Sequence, residues 1–268
     1  MRVFAAKSMA WMACLLFAVP TTAQSLDEQR AHCNSSNPHL LDLQIAGCTA
    51  LIDSGRETST SLADIFYNRG IAYAHQGKHV RAISDYSEAV RINPQDSEAL
   101  YNRGLSYSLL EDYGRAIVDY DHAIRINPQF AMAFNNRGLS YDQQKDYAHA
   151  ISDYGEAIRI DPRNAGAFNN RAHAYNTLKD YRRAIADSDE AIHLYPQFAD
   201  AFYNRGNAYA GQKNDVRALV DYDKAISIDP QFAVAFNKRS LAKRRLGKIQ
   251  EADADMRRSL AIDPKITQ

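Results

Sequence analysis

The chain is poor in residues that interrupt helices and in features that mark chemistry. Its 268 residues include only 12 Gly, 8 Pro, 3 Cys and one Trp, and its 32 basic side chains are matched by 32 acidic ones. So little Gly and Pro argues against a disordered chain, and a composition 46% apolar and 24% charged suits a folded, helix-rich one. Zero formal charge removes any bulk pull toward nucleic acid or anionic lipid. Long apolar runs are also missing. The one from Met9 to Val19 is shorter than the roughly 20 residues that cross a bilayer. No glycine-rich phosphate loop, nucleophile elbow or zinc-protease motif is present. His75 and His79 stand four apart, but no third ligand completes a metal set, and a turn between two helices is expected to part them. No catalytic residue, metal or cofactor is expected.

The front of the chain reads as an export signal. Arg2 and Lys7 precede the apolar run, and Pro20-Thr21-Thr22-Ala23 supplies small residues for cleavage, so residues 1–23 are expected to be removed. Cleavage would leave 30 basic and 32 acidic side chains. A membrane anchor is the alternative, and Met12-Ala13-Cys14 loosely resembles a lipobox, although Cys14 lies inside the apolar run. Export, expected to be to a periplasm, puts Cys33 and Cys48 in an oxidising compartment, where a disulfide is the favoured use of a pair. Closing that 15-residue loop would contribute roughly 3 kcal/mol. Reach is the difficulty. With Asn37 capping a helix from Pro38, Cys48 would lie about 15 Å along it, near the limit that residues 34–37 span.

One period organises the rest. Asn-Arg-Gly ends at Gly70, Gly104, Gly138 and Gly206, with Ala172 in the remaining place, and Pro94, Pro128, Pro162, Pro196, Pro230 and Pro264 keep the same 34-residue step. Six units result: 63–96, 97–130, 131–164, 165–198, 199–232 and 233–264, followed by a tail, 265–268. Residues 24–62 are expected to form a helical cap. In the first unit Phe66, Gly70 and Tyr73 recur at helical spacing, then Ala82, Tyr86 and Ala89, before Asn93-Pro94 stops the pattern. Small residues at Gly70 and Ala82 allow two helices to approach closely, with Tyr73 and Tyr86 filling the space around them.

These aromatic, glycine, tyrosine, alanine and proline offsets resemble the tetratricopeptide repeat. The resemblance covers residues 63–264 in one register without an insertion. It implies an all-α fold, a right-handed α-solenoid of stacked helix-turn-helix repeats whose units bury their apolar faces only against neighbours. It also implies that first helices line a concave groove that binds protein. The sixth unit departs from the pattern at Ser240, Lys243, Met256 and Ser259, as a solubilising end repeat does. Its basic group, Lys238, Arg239, Lys243, Arg244, Arg245 and Lys248, is alternatively a receiver for an acidic partner.

Two rows of polar residues stand out. Arg69, Arg103, Arg137, Arg171, Arg205 and Arg239 are each followed sixteen residues later by Asp85, Asp119, Asp153, Asp187, Asp221 and Asp255. The resembled family more usually carries an apolar residue and a tyrosine there, so the joint change reads as an ion pair between the two helices of a unit. Asn68, Asn102, Asn136, Asn170 and Asn204 form the second row, broken only by Lys238. An amide donates and accepts, so the row is suited to the backbone of an extended peptide whatever its sequence, much as in the asparagine ladder of O-linked N-acetylglucosamine transferase repeats, whose catalytic domain has no counterpart here. Bonding to neighbouring helices is the competing use. Tyr67, Tyr101 and Tyr203 precede three of the row and offer aromatic contacts. The carboxylate clamp of chaperone-binding repeats is not matched, because Tyr or Asn stands where the first repeat would offer Lys. A non-catalytic scaffold for a protein or extended peptide is therefore expected. A carrier for small molecules or envelope glycans, stacking on Tyr67 or Tyr203, is the alternative.

Overall fold

A computed structural model of the chain describes residues 25–35 and 37–266. The expected export signal lies outside the described residues. Among them are fourteen α-helices, one 3-10 turn and no strand. The helices are α1 (Leu26–Cys33), α2 (Leu41–Ser54), α3 (Ser59–His75), α4 (His79–Ile92), α5 (Ser97–Leu109), α6 (Tyr113–Ile126) and α7 (Ala131–Gln143). They continue as α8 (Tyr147–Ile160), α9 (Ala165–Thr177), α10 (Tyr181–Leu194), α11 (Ala199–Gly211), α12 (Asp215–Ile228), α13 (Ala233–Arg245) and α14 (Ile249–Ile262). Each helix packs on the next in the chain, and first helices of successive repeats also touch. The result is an all-α solenoid of six helical hairpins behind an N-terminal hairpin.

The turn inside each hairpin repeats the same backbone solution. At the end of α3, the amide of Lys78 donates to the Tyr73 carbonyl at 2.9 Å and that of Gly77 to the Ala74 carbonyl at 2.9 Å, a Schellman closure needing a left-handed residue. Gly77 and Gly247 fill that position in the end repeats, with φ of 70° and 79°. Glu111, Lys145, Lys179 and Lys213 fill it in the four interior ones, with φ of 61–63°. The next residue starts the second helix. Asp112, Asp146, Asp180 and Asn214 accept a backbone N–H three residues on, whereas Lys78 and Lys248 make no side-chain cap.

Inside a hairpin, the glycine column meets the tyrosine column. A Cβ on Gly70, Gly104, Gly138 or Gly206 would come within 2.7–2.9 Å of the ring of Tyr86, Tyr120, Tyr154 or Tyr222, and all four rings are buried. The absent side chain therefore sets the spacing of the two helices. The fourth repeat solves the same problem by exchange: Ala172 takes the glycine's place while Ser188 takes the tyrosine's, and both are fully buried.

The N-terminal cap shows how the reach between the cysteines is managed. Asn37 accepts the His39 amide at 2.9 Å, as a cap should, but Pro38–Leu40 is a separate 3-10 turn and the helix proper begins at Leu41. The link is thus longer than residues 34–37, and the path along α2 is shorter. Gly47 contributes as well, since a Cβ there would sit 2.6 Å from the Gln29 carbonyl. Cys33 and Cys48 are joined, with Cα atoms 4.6 Å apart, and pack with Leu51 and Ile65. The cap docks through Gln44, whose amide donates to the carbonyls of Cys33 and Asn68 at 3.3 Å. Helix α3 begins at Ser59, a turn ahead of the first repeat's Ala63, and Thr58 caps it.

Candidate functional site

The arginine row sits between second helices. In every repeat the guanidinium grips the aspartate sixteen residues ahead through Nε and Nη2, at 2.8 and 2.8 Å for Arg69–Asp85 and 2.7 and 2.8 Å for Arg171–Asp187. The fork geometry is bidentate in all six repeats. A further nitrogen reaches back to the preceding second helix. Arg103 meets Ser87 at 3.2 Å, Arg205 meets Asp189 at 2.6 Å, Arg239 meets Asp223 at 2.7 Å, and Arg137 meets Asp121. Arg69 reaches Thr49 of the cap at 3.0 Å. Arg171 lacks this arm because Gly155 occupies the place. All six aspartates are buried. Burial pushes the Asp153 and Asp221 carboxyls up, opposed by Arg137 and Arg205.

The asparagine row lies on the first helices and bonds across repeats. Asn102 Nδ2 donates to the Tyr67 hydroxyl at 3.0 Å and Asn136 Nδ2 to the Tyr101 hydroxyl at 2.9 Å. Where the tyrosine column changes to Asn, Asn170 donates to Asn135 at 3.1 Å and Asn204 to Asn169 at 2.9 Å. Asn68 donates to Asn34 of the cap at 3.1 Å. The tyrosines and the asparagines of the sequence pattern are therefore partners of one another rather than two independent surfaces. Tyr67 is half-buried, and burial pushes its hydroxyl up to about 12. Tyr101 packs 4.8 Å from Phe130, and Tyr203 5.2 Å from Phe232. In all but Asn136, only the donor half of the amide is consumed. Asn136 Oδ1 accepts from Asn135, while among the described residues the Oδ1 atoms of Asn68, Asn102, Asn170 and Asn204 accept no hydrogen bond.

Cavities follow this row. One of about 320 Å³ at the cap holds Asn68, and one of about 310 Å³ between the first two repeats holds Asn102 beside Ile71, Leu105 and Leu109. A smaller one, about 160 Å³, holds Asn170 and Asn204, and the last, about 400 Å³, holds Lys238. Asn136 lines none of these four, and a further cavity of about 450 Å³, beside Lys179, Asp180, Arg182 and Gln212, holds no member of the row. His75 ends α3 and His79 begins α4, on either side of the turn.

The cavities holding Asn170, Asn204 and Lys238 contain residues that the sequence pattern did not single out. His173 and Asn207 stand where other repeats carry Ile71, Leu105, Leu139 and Leu241, so polar residues interrupting an apolar column were the available signal. Asp142 was also missed. Its Oδ1 is buried without a partner, and burial pushes its carboxyl up, opposed by His173. The basic group of the sixth repeat proves largely self-neutralised: Arg239 binds Asp255, Lys243 binds Asp255 at 2.9 Å, Arg244 binds Asp253 at 2.6 Å, and Arg245 binds Asp215 at 2.6 Å. Lys248 lies 3.9 Å from Glu251. Lys238 is exposed and has no carboxylate partner. Among the described residues no group of three or more His, Cys, Asp or Glu is placed to hold a metal ion, and no helix is long and apolar enough to cross a membrane.

Six stacked hairpins with a cavity-lined first-helix face define a helical-repeat binding protein. The tetratricopeptide-repeat pattern matches residues 63–96, 97–130, 131–164 and 199–232, with a second form matching 165–198 and 233–266, so the chain belongs to the tetratricopeptide-repeat family. No curated protein matches it. Among solved structures, a tetratricopeptide repeat protein from Parabacteroides merdae is similar with a TM-score of 0.71 at 20% identity, covering 90% of this chain and 94% of that one. PilW, a type IV pilus biogenesis factor, gives 0.68 at 19%, covering 76% and 95%. YrrB, described as a repeat protein with an unusual peptide-binding site, gives 0.59 at 23%, covering 70% and 95%. At these identities the likeness is one of fold. Repeats of this kind generally mediate interactions between proteins.

Proposed function

We propose that this chain is a non-catalytic scaffold that holds an extended peptide, or an extended segment of a partner protein, along its first-helix face. The observation that carries the reading is the overlap of two series: of five cavities along the solenoid, four contain a member of the Asn68-to-Lys238 row. With their Nδ2 groups bonded between repeats, these amides are held in place, and the oxygens of the partly exposed Asn68, Asn102 and Asn170 are suited to accept backbone N–H groups of a strand laid across them. Each such bond contributes only about 0.5–1.5 kcal/mol, so useful affinity comes from several in register. YrrB, with its peptide-binding site, is a precedent within the fold. The basic, apolar and small-residue pattern of residues 1–23 and the Cys33–Cys48 bond support placement in a periplasm.

Crosslinking in the exported compartment followed by mass spectrometry would identify the partner, and variants would test the surface. Asn102→Ala and Asn170→Ala should each weaken capture, and Asn136→Ala should weaken it least, because its oxygen is already used. Tyr67→Phe separates the two roles of Asn102, since it removes the inter-repeat bond and leaves the amide oxygen. If Tyr67→Phe weakens capture as much as Asn102→Ala, the row acts only through stability. A small ligand whose binding responds to a single cavity would favour the carrier reading.

A further inference from the structure

The two cavities of the C-terminal half segregate charge in a way the rest of the chain does not. The smaller one is lined by Asp142 and Asp200 and contains no Lys or Arg. The larger is lined by Lys238 and Arg245 and contains no Asp or Glu. They are adjacent, since His173 and Tyr203 line both. In the repeated row every arginine is locked onto an aspartate. Here neutralisation stops: neither Asp142 nor Asp200 has an ion-pair partner, Asp142 Oδ1 is buried and accepts no hydrogen bond, and Lys238 is the one basic side chain of α13 without a carboxylate. Arg245 is committed to Asp215 through three contacts of 2.6–3.0 Å.

The local packing opens this site. Lys238 breaks the asparagine row, so Tyr203 meets the Asn207 amide on its own helix instead of one from the next repeat, and its ring lines both cavities. Asn207, in the same column as His173, accepts the Tyr222 hydroxyl at 2.9 Å. Asn176 donates to the Asn204 carbonyl at 2.8 Å, and α9 and α11 meet more extensively than any other pair of first helices. Tyr181 fits against Gly211, where a Cβ would stand 2.3 Å from the ring. The two polar lobes are thereby set side by side on one firmly packed junction.

We propose that this two-lobed cavity selects a segment of an extended peptide carrying a basic side chain, received by Asp142 and Asp200, followed or preceded at fixed separation by an acidic one, received by Lys238. The inference rests on the peptide-binding reading above and adds chemical selectivity to it. Amide oxygens hold any backbone alike, so the charged lobes decide which segment is retained and in which direction, as charge complementarity does in other interfaces. An all-basic or all-acidic segment satisfies one lobe and places an unfavourable charge at the other.

The test is fluorescence anisotropy of the full chain with a positional set of labelled ten-residue peptides in which one Arg and one Glu are moved independently along an otherwise neutral sequence. The expected result is a single preferred separation and order, bound about tenfold or more tightly than the same peptide with the two charges exchanged, the size of effect one well-placed ion pair supplies. Lys238→Glu should abolish the preference for Glu and leave that for Arg, and Asp142→Asn should do the reverse. Lys238 is exposed, so its variant folds, and helical circular dichroism checks both. Tight binding with no charge preference, or an acidic preference that survives Lys238→Glu, would overturn the selectivity alone. Failure of every peptide to bind the unaltered chain would overturn the peptide-binding reading with it.

Discussion

The third and fourth repeats stand next to each other, share one length and register, and are held differently. Arg137 grips Asp153 and also Asp121 on the preceding second helix. Arg171 grips only Asp187, because Gly155 stands where Asp121 does, with Nη1 3.6 Å from the position a Cβ would take. Gly138 is pressed against the Tyr154 ring, whereas the fourth repeat substitutes Ala172 and Ser188. A solenoid therefore tolerates exchange within a hairpin, since only nearest neighbours feel the change. The fourth repeat is also the one that bears His173 and opens onto the charged cavities, so the departure from pattern and the candidate site coincide.

The largest break in this comparison should come from the ion pairs. Asp187→Ala leaves Arg171 with no carboxylate and should cost about 3–5 kcal/mol in urea unfolding. Asp153→Ala should cost less, because Asp121 still holds Arg137; equal losses would show that the second arm contributes nothing. Next in size, Gly138→Ala should destabilise by about 1–3 kcal/mol, since the new methyl meets the Tyr154 ring and the Ala150 carbonyl. The reverse exchange at the neighbouring repeat, Ala172→Gly, should cost only about 1 kcal/mol of helix propensity. Gly155→Asp should bring the two repeats into line and stabilise by about 0.5–1.5 kcal/mol, as a charge-assisted bond to Arg171 forms and a helical glycine is removed. A melting point unchanged or lowered by that substitution would count against the arm.

The smallest effect is expected to be common to both repeats. Asp146 and Asp180 cap their second helices, and their carboxyls are held low, by the His149 ring in the first case and by the Arg183 guanidinium in the second. A carboxyl lowered in the folded state lends stability that is present above its ordinary value and lost as pH falls through the lowered one. Asp146→Asn keeps an oxygen for the cap but removes the titration, so the unfolding midpoint between pH 5 and pH 2 should fall less steeply than in the unaltered chain. Asp153 acts with opposite sign, since burial raises its carboxyl, and it therefore cannot account for such a loss.

Much of the fold was legible because a repeat states its rules six times. The prolines, the small residues and the Tyr86-type column set the number of hairpins, their register and their buried faces without any long-range information. The arginine and aspartate rows could be paired on sequence spacing, as two helices of fixed length joined by a fixed turn bring offsets of sixteen together. What stayed hidden were relations between different repeats. The back-reaching arm of Arg137 to Asp121, the bond from Asn102 to Tyr67 and the adjacency of two charged cavities each depend on how one hairpin is placed on the next.

Local propensity and periodicity thus determined the helices, the six units and the identity of the polar rows, because those follow from backbone sterics and from which side chains must leave water. Only the tertiary structure decided what the rows do. It closed most of the basic group of the sixth repeat onto carboxylates, spent the amide hydrogens of the asparagines between repeats, and left Lys238 and the oxygens of Asn68, Asn102 and Asn170 without a partner among the described residues. The physical reason is that hydrogen bonds and ion pairs are satisfied by distance, and distance across a solenoid is set by the packing of neighbours rather than by position along the chain.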